Sequence, residues 1–369
     1  MKPVEMNSTP LAWQLLAWYD ANGRQLPWRA PRGGRADPYR VWLSEIMLQQ
    51  TTVAAVKPYF DAFLRRWPRV QDLAAADQAD VLHAWQGLGY YARARNLHAC
   101  AQTITQTLGG QFPDTEEALL RLPGVGRYTA AAIAAIAFGR DATPVDGNVI
   151  RVMARLFALT DEMPRGKRRV EDCARQLTPR DRAGDFAQAL MDLGATVCLP
   201  KSPRCGQCPW APACRARQAG AAAAYPKRKP KEARPRRWGV VFWLARPDGA
   251  VLMRRRPPRG LLGGMMEFPS TPWRGGPWTR ADALTFTPEA VSWQPLDGTI
   301  EHIFTHFHLE LSILSGLSSR WDDVPGTWCH PDLFSGHALP TVMKKIARHV
   351  LGPARASEKN GHGAGEEGR

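Results

Sequence analysis

The chain has 369 residues and a formal net charge of +15 at pH 7, from 49 lysines and arginines against 34 aspartates and glutamates. This length exceeds that of one ordinary domain, so we expect two compact units, and a hydrophobic content of 44% is enough to build their cores. No run of about 18 apolar residues is present, which argues against a membrane span, and the first residues lack the apolar segment of a secretion signal. The excess of positive charge favours a polyanionic partner such as a nucleic acid.

Apolar residues at helical spacing dominate the chain from Leu11 to about Leu193 and predict an all-α region. The expected helices cover residues 41–63, 78–85, 92–108, 115–121, 129–138, 149–159 and 168–177. Pro58 falls inside the first of these helices. Because a proline interrupts helical hydrogen bonding, we expect that helix to be broken or kinked there.

The composition changes after Cys214, where a stretch rich in lysine, arginine and proline predicts a solvated basic linker. Beyond Trp238, alternating apolar residues predict strands over 238–246 and 250–256 around a Pro247–Gly249 turn, a second β-rich run over 303–314 and a closing helix over 341–351. The expected organisation is therefore a helical domain over 1–218, a linker over 219–236, a β-rich domain over 237–351 and a disordered tail over 352–369.

The segment Leu122–Asp146 begins with Pro123-Gly124-Val125-Gly126 and continues into an alanine-rich helix. Without Cβ atoms, Gly124 and Gly126 let backbone N–H groups approach an anion, and the positive end of the helix dipole adds to the attraction. The sequence therefore predicts a phosphate contact at this turn. Asp146 follows about 20 residues later, and its carboxylate can serve catalysis or simply cap the next helix.

Glu45 lies within the largely apolar string Trp42-Leu-Ser-Glu-Ile-Met-Leu-Gln-Gln-Thr51. Burial disfavours the charged carboxylate and raises its pKa, as a general acid requires. A lone glutamate in a helix is otherwise most often a solvent-exposed surface residue. Together with Asp146, Glu45 supplies two carboxylates in different environments, which suits an acid and a charge-stabilising partner.

Four of the seven cysteines crowd into one segment with the spacing Cys198-x6-Cys205-x2-Cys208-x5-Cys214. Reduced thiols this close in sequence favour a metal over disulfides. The spacing by itself leaves a tetrahedral zinc ion and a [4Fe–4S] cluster both open.

These motifs, in this order, resemble the endonuclease III superfamily of helix-hairpin-helix DNA glycosylases, and within it the adenine glycosylases of the MutY type. The resemblance extends from about Leu11 to Leu351. It implies a multidomain fold: an all-α helix-hairpin-helix glycosylase domain with an iron–sulfur cluster loop, followed by an α+β Nudix-like domain. The cysteine spacing matches that cluster loop, so the resemblance implies a [4Fe–4S] cluster on Cys198, Cys205, Cys208 and Cys214.

The resemblance also assigns catalytic roles. Glu45 would protonate adenine, Asp146 would stabilise the positively charged sugar, and Tyr128 and Asn148 would support both carboxylates by hydrogen bonding. Tyr128 stands where the lyase members of the superfamily carry a Schiff-base lysine, which implies a monofunctional enzyme.

Excision requires the base to leave the duplex. By resemblance, Gln50 and Tyr90 fill the vacated stack, Leu88 and Thr51 contact the opposing base, and Arg93 and Arg95 contact phosphates. The adenine pocket would consist of Trp28, Arg29 and Gln188. An ordinary packing role is the alternative for each of these residues.

The C-terminal domain has the Nudix-like segment Gly260-Leu-Leu-Gly-Gly-Met-Met-Glu-Phe-Pro269, but residues 270–281 contain no aspartate or glutamate. A metal-dependent pyrophosphatase needs acidic ligands there, so we expect no hydrolase activity from this domain. In the resembling branch the domain reads 8-oxoguanine through a Phe-Ser-His loop, which here is Phe304-Thr305-His306. Thr305 departs from that pattern by one methyl group, and Met266 stands where an aromatic residue is usual.

The sequence thus predicts an enzyme of base excision repair that removes adenine opposite 8-oxoguanine or guanine in double-stranded DNA. We expect it to act as a monomer in the cytoplasm of a bacterium. Two alternatives remain at this point: a bifunctional endonuclease III-like glycosylase and lyase, and a catalytically silent sensor of DNA damage.

Overall fold

The computed structural model describes residues 8–31, 34–229, 233–258, 260–319 and 324–352. The chain divides into two compact units. Unit 1 comprises Met1–Asp77 and Arg93–Lys231, and unit 2 comprises Gln78–Ala92 and Glu232–Arg369. The inclusion of Gln78–Ala92 in unit 2 is a grouping that the sequence analysis does not predict. The tail predicted to be disordered lies, apart from Gly352, outside the described residues.

Unit 1 is all-α in the part of the chain that the structure describes, as predicted. Its helices are α1 (Ser8–Asn22), α2 (Pro38–Leu48), α3 (Val53–Arg66), α4 (Val70–Ala75), α6 (Ala92–Thr107), α7 (Glu116–Leu119), α8 (Arg127–Phe138), α9 (Gly147–Leu156), α10 (Lys167–Leu177), α11 (Ala183–Thr196) and α12 (Arg215–Gln218). One further short helix, α5 (Gln78–Ala84), lies in the segment Gln78–Ala92 and belongs to unit 2.

The single helix predicted over 41–63 is in fact two helices, and the break lies before Pro58 rather than at it. Helix α2 ends at Leu48, Gln50 adopts a left-handed backbone with φ of 58°, and the Thr52 side chain accepts a hydrogen bond from the Ala55 N–H to start α3. Pro58 lies within α3. A left-handed residue followed by a threonine N-cap ends one helix and begins the next, so the local capping signals outweigh the proline.

The core of unit 1 packs α1, α9, α10 and α11 around small and branched apolar side chains. The alanine-rich α8 also contacts α11. A Cβ atom built on Gly184 of α11 would lie 2.5 Å from the backbone oxygen of Ala135 in α8, so only glycine allows this approach. The indole N–H of Trp210, in the cysteine loop, donates to the carbonyl of Leu11 (2.8 Å) and fixes that loop to α1. Close packing therefore fixes the positions of α8, α9 and α11 relative to one another.

Unit 2 contains a mixed sheet with the strand order β3-β2-β1-β5-β4, and β6 pairs with β2. Its strands are β1 (Arg236–Ala245), β2 (Val251–Arg255), β3 (Met266–Glu267), β4 (Gln294–Ile303), β5 (His308–Leu317) and β6 (Thr327–Cys329), and its C-terminal helices are α13 (Arg280–Leu284) and α14 (Thr341–Leu351). Strands β1 and β5 are parallel, and the other pairs are antiparallel. The predicted strands and closing helix are confirmed, but the run predicted over 303–314 is the end of β4, a turn and most of β5.

Strand β1 is buried on both sides because alternate residues enter two different cores. Val241 and Trp243 join a core that includes α14, whereas Val240 and Phe242 join a second core with Trp293. Among the described residues, no helix combines the length and apolar character that crossing a membrane requires.

Candidate active site

Glu45 lies in the interior of α2 and is 6% exposed. The helix starts firmly because the Asp37 side chain accepts from the Tyr39 N–H (2.8 Å) and Pro38 occupies the first turn. Burial raises the pKa of Glu45 to about 7, since a charged carboxylate loses its hydration. A hydrogen bond with Tyr128 lowers that pKa, the negative charge of Asp146 raises it, and the positive charge of Arg29 lowers it. The carboxyl group can therefore hold and release a proton near neutral pH.

Asp146 is the N-cap of α9, so the capping role considered from the sequence is present. Its Oδ1 accepts from the Val149 N–H (2.7 Å), and its Oδ2 accepts from Asn148 Nδ2 (2.8 Å). The same bonds that start the helix also fix the carboxylate, and its negative charge raises the pKa of Glu45.

Tyr128 lies in the first turn of α8, and its single hydroxyl proton can be donated either to the sulfur of Met191 (3.8 Å) or to the Glu45 carboxylate. Burial raises the pKa of Tyr128 well above its ordinary value, and the negative charges of Glu45 and Asp146 raise it further. The phenol therefore stays protonated and donates hydrogen bonds. The structure thus brings Glu45, Asp146, Tyr128 and Asn148 to one place.

A small cavity of about 40 Å³ opens onto Glu45. The three residues predicted to form a base pocket, Trp28, Arg29 and Gln188, all line it; the other lining residues are Arg24, Leu26, Val41, Ser44, Leu48, Val53, Ile136 and Met191. The Trp28 ring packs edge-on against Phe60 with centroids 5.3 Å apart. A cavity of this size has room for a few water molecules, so a planar base enters only when side chains move.

The sequence analysis missed Asp192, the fully buried acid that holds Arg29 in this cavity. Both terminal nitrogens of Arg29 donate to its two oxygens (2.7 Å each), and Arg24 donates through Nε (2.7 Å) and its backbone N–H (2.9 Å). Burial alone raises the pKa of Asp192, but the hydrogen bonds and charges of Arg29 and Arg24 outweigh it and hold that pKa below its ordinary value. The sequence did offer a signal for this residue, because Asp192 lies one helical turn after Gln188 and therefore on the same face of the helix.

Arg151 was also missed, and it connects the carboxylate centre with the cysteine loop. Its Nη2 donates to Asn148 Oδ1 (2.8 Å) and to the Gly194 carbonyl (2.6 Å), and its Nε donates to the Cys198 carbonyl (2.7 Å). Arg155 continues the connection, since its Nη1 donates to Cys198 Sγ (3.3 Å) and to the Leu199 carbonyl (2.7 Å).

The four clustered cysteines line one cavity of about 30 Å³, together with Arg155 and Trp210; they are Cys198, Cys205, Cys208 and Cys214. The structure therefore gathers the predicted ligand set. Within the described ranges, no three His, Cys, Asp or Glu side chains are arranged to hold a single metal ion.

The glycine turn before α8 uses its two glycines differently. Gly124 has φ of 75°, and a Cβ there would meet the Asn96 side chain at 2.6 Å, so both conformation and space require glycine. Gly126 is the N-cap of α8 with φ of −93°, and a Cβ there would meet nothing within 4 Å. The fold itself therefore does not explain Gly126.

Gln50 and Tyr90, the predicted wedge residues, are both exposed and both adopt a left-handed backbone, with φ of 58° and 49°. Such strain in residues other than glycine is typical of functional positions. Leu88 is buried at 5% exposure, and Thr51 is half-buried.

Arg93 does not lie on the surface as the sequence analysis expected. It is buried and donates to the carbonyls of Ile46 and Met47 (2.9 Å each) and to Thr51 Oγ1 (3.2 Å). The end of α2 leaves carbonyl groups without helical partners, and the Arg93 guanidinium satisfies two of them. The burial of Arg93 gives it this structural role, and its phosphate contact stays a prediction.

Phe304, Thr305 and His306 form the turn between β4 and β5, with Thr305 and His306 exposed. The Phe304 ring stacks on the buried Phe307 with centroids 4.8 Å apart, which fixes the turn to the core. The Thr305 hydroxyl lies 2.5 Å from the hydroxyl of Tyr90. Met266 is buried in the core beside this sheet, at the position where the resemblance leads one to expect an aromatic residue.

Comparisons with known proteins identify the family and the fold of the chain. Residues 43–180 match the HhH-GPD superfamily of base excision DNA repair proteins, and residues 240–349 match the NUDIX domain. The human adenine DNA glycosylase is 36% identical over 93% of this chain and 74% of its own length. The adenine DNA glycosylase of Mycolicibacterium smegmatis is 44% identical over 56% of this chain and 69% of its own length.

A thermostable thymine-DNA glycosylase of known structure has a similar fold, with a TM-score of 0.53 and 30% identity over 57% of this chain and 97% of that one. The predicted fold, a helix-hairpin-helix glycosylase domain followed by a Nudix-like domain, is confirmed. The extent and identity of the match to the human protein show that the chain belongs to the adenine DNA glycosylase family of base excision repair.

Proposed function

We propose that this chain hydrolyses the N-glycosidic bond of adenine placed opposite 8-oxoguanine or guanine in double-stranded DNA. The observation that carries the proposal is the pairing of two acids. Glu45 lines a cavity and has its pKa raised by burial to about 7, and the capped carboxylate of Asp146 acts on it through its negative charge. One group holds a proton near neutral pH, and the other offers a fixed carboxylate.

The chemistry follows from the poor leaving ability of adenine. Glu45 donates its proton to a ring nitrogen, N7 by family resemblance, and the electrons of the C1′–N9 bond move to the base as that bond breaks. The sugar develops oxocarbenium character, which the Asp146 carboxylate stabilises. A water molecule then adds at C1′ and loses its proton to a carboxylate, leaving an abasic site and free adenine. Tyr128 and Asn148 keep the two acids in position through their hydrogen bonds.

The residue at position 128 supports a monofunctional reaction. A lyase step needs an amine that attacks C1′ and forms a Schiff base. Burial raises the pKa of Tyr128 well above its ordinary value, so this phenol is a hydrogen-bond donor and no nucleophile of that kind. The enzyme therefore leaves the abasic strand intact.

Recognition of the duplex is proposed for the exposed residues. Gln50 and Tyr90 fill the space left by the extruded base, Thr51 and Leu88 contact the opposing base, and the Phe304-Thr305-His306 turn reads 8-oxoguanine. The left-handed backbone of both wedge residues and the exposure of Thr305 support these roles. Since Leu88 is buried, its contact requires the loop to open.

The adenine itself would enter the cavity beside Trp28, Arg29 and Gln188. The Gly124–Gly126 turn would place its backbone N–H groups against a phosphate. Gly126 supports this role, because the fold does not require it and its lack of a side chain leaves the start of α8 accessible.

We further propose that Cys198, Cys205, Cys208 and Cys214 hold a [4Fe–4S] cluster. The four residues fit, because they line one cavity and Arg155 donates to the sulfur of Cys198. The spacing of the four cysteines matches the cluster loop of the family that the chain resembles, and this match favours a cluster over a zinc ion. When bound, the cluster supplies a fixed, charged structural centre that orients the cysteine loop.

Relatives of this chain occur in bacteria and in eukaryotes. The proposed enzyme acts as a monomer on chromosomal DNA, which in a bacterial cell means the cytoplasm.

Single-turnover excision on labelled duplexes tests the proposal, with adenine opposite 8-oxoguanine, guanine or thymine and with each sample divided for analysis with and without alkali. We expect strand breaks only after alkali and only for the first two duplexes. Breaks without alkali would establish an intrinsic lyase, and the absence of an abasic product would leave a protein that binds damage without excising the base.

A further inference from the structure

Gln86 fixes the start of the Gly87–Tyr90 loop of unit 2, because both the nitrogen and the oxygen of its side-chain amide form hydrogen bonds. Its Nε2 donates to the carbonyl of His337 (2.5 Å), and its Oε1 accepts from the Nζ of Lys344 (2.7 Å). His337 precedes α14 and Lys344 lies within it, so residues more than 250 positions later in the chain anchor the loop.

The far end of the loop meets a different part of unit 2, the turn between β4 and β5. The Tyr90 hydroxyl lies 2.5 Å from the Thr305 hydroxyl. The indole N–H of Trp85, which precedes the loop, donates to the Gly89 carbonyl (3.1 Å). The loop is therefore attached on one side to α14 and on the other to the turn between β4 and β5.

The loop has a conformation that depends on such attachments. Gly87, Gly89 and Tyr90 all have left-handed φ values, of 100°, 71° and 49°, and for tyrosine this backbone is strained unless its surroundings enforce it. The bond from Lys344 lies at the surface but is charge-assisted, and charge-assisted hydrogen bonds are stronger than neutral ones. Loss of this anchor would let the loop relax away from Thr305.

We propose that Gln86 and Lys344 are positioning residues that hold the Gly87–Tyr90 loop in register with Thr305, so that loop and turn read the base opposite adenine as one surface. This inference rests on the function proposed above. Neither residue touches the base; both act through Tyr90, whose hydroxyl meets Thr305. Specificity for the opposing base then depends on a pair of side chains remote from it.

The test compares Gln86→Ala and Lys344→Met in the full chain, by single-turnover excision of adenine opposite 8-oxoguanine and opposite guanine. We expect the ratio of the two rate constants to fall about fivefold to tenfold, the range set by loss of one charge-assisted hydrogen bond. Lys344→Arg keeps a donor for Gln86 and should retain most of the ratio. Lys345→Met is the matched control, since it removes the same charge one residue away, where Nζ donates to the Glu301 carbonyl (2.8 Å).

A merely structural role would lower both rate constants equally and leave their ratio unchanged, and that result in Gln86→Ala and Lys344→Met overturns the proposal. Tyr90→Phe provides the second criterion, because it removes the hydroxyl but keeps the ring. If Gln86 acts through this loop, Gln86→Ala has little further effect on the ratio in the Tyr90→Phe background. Full additivity of the two changes overturns the proposed route.

Hydrogen exchange of the full chain without DNA separates this inference from the proposed function. We expect faster exchange of the amides at residues 87–91 in Gln86→Ala and Lys344→Met, and no change in Lys345→Met. Unchanged exchange in the first two variants overturns the inference. A wild-type protein that releases no adenine from either duplex overturns the proposed function instead, and the exchange comparison still tests the anchor.

Discussion

The carboxylate centre of unit 1 and the Tyr90–Thr305 pair of unit 2 use hydrogen bonds under opposite conditions. Glu45 is buried and Tyr128 is half-buried, whereas Thr305 is exposed and Tyr90 is 45% exposed. Burial shifts the pKa of Glu45 and fixes the acid for proton transfer. The exposed hydroxyls of Tyr90 and Thr305 can instead give up their contact with each other and bind a substrate. Acid–base chemistry therefore lies where water is excluded, and recognition of the base lies where hydrogen-bond partners can change.

The supports of the two regions differ in the same way. Asp192 is fully buried and takes charged hydrogen bonds from Arg29 and Arg24, so its loss leaves charges without partners. The loop that carries Tyr90 relies on Gln86 and on contacts at its ends. Changes in the first region should therefore remove activity, and changes in the second should alter selectivity.

The largest loss of activity is expected at Glu45. We expect Glu45→Gln to bind mispaired DNA normally and to lower single-turnover excision by at least about a thousandfold, because the amide N–H groups are too weakly acidic to protonate adenine. Binding by electrophoretic mobility shift and excision by gel assay measure the two effects. Near-normal excision would remove Glu45 as the acid.

The buried support of Arg29 should be the next most sensitive point. We expect Asp192→Asn to lower excision about tenfold to a hundredfold, since two arginines lose their counter-charge and Arg29 loses its bidentate partner. Arg182→Gln is a matched control, because it breaks ion pairs with Asp20 and Asp185 on the surface. Equal effects of the two changes on excision would contradict the special role of the buried pair.

The pH dependence sharpens the difference between the two regions. Because the pKa of Glu45 is raised to about 7 and the protonated form is active, the single-turnover rate constant should be flat below pH 7 and fall about tenfold per pH unit above it. Because the folded state holds the Glu45 proton more tightly than the unfolded state, this proton stabilises the folded protein at low pH. That contribution to the free energy of unfolding is lost as the pH rises through 7. Thermal unfolding of wild type against Glu45→Gln should reveal that loss only in the wild type. A rate that rises with pH would reverse the assignment.

Selectivity, rather than rate, should change at the exposed hydroxyl. We expect Thr305→Val to reduce the preference for 8-oxoguanine over guanine about threefold to tenfold, with thermal stability preserved, because an isosteric side chain loses one hydrogen bond. Thr305→Ser serves as the conservative variant and should keep the preference. A Thr305→Val enzyme with an unchanged ratio would show that the hydroxyl is not read.

The smallest effect is expected at the glycine turn. We expect Gly126→Ala to leave the melting temperature unchanged and to weaken DNA binding a few-fold, because its Cβ meets no protein atom but would meet a phosphate. Gly124→Ala is the contrasting change, since its left-handed backbone and the Asn96 contact make it destabilising by about 1–3 kcal/mol. Unaltered binding by Gly126→Ala would argue against a phosphate at this position.

Much of this molecule can be predicted from sequence because its signals are local. Helical spacing in unit 1 and strand alternation in unit 2 give most elements, and the helix over Thr341–Leu351 has the predicted bounds. The helix break predicted at Pro58 was misplaced because the signals that end one helix and start the next are at Gln50 and Thr52, eight and six residues earlier. The structural role of Arg93 could not be predicted because a basic residue can contact a phosphate or satisfy helix carbonyls equally well.

The chemical groups can be identified from the amino-acid order alone: Glu45 in an apolar string, Asp146 before a helix, tyrosine at position 128 and four spaced cysteines. Their partners depend on the fold, since Asp192 meets Arg29 across more than 160 residues and Gln86 meets Lys344 across more than 250. The physical reason is that a residue type fixes what a group can donate, accept or titrate. Its pKa and its partner depend on burial and on neighbours that packing brings from distant parts of the chain.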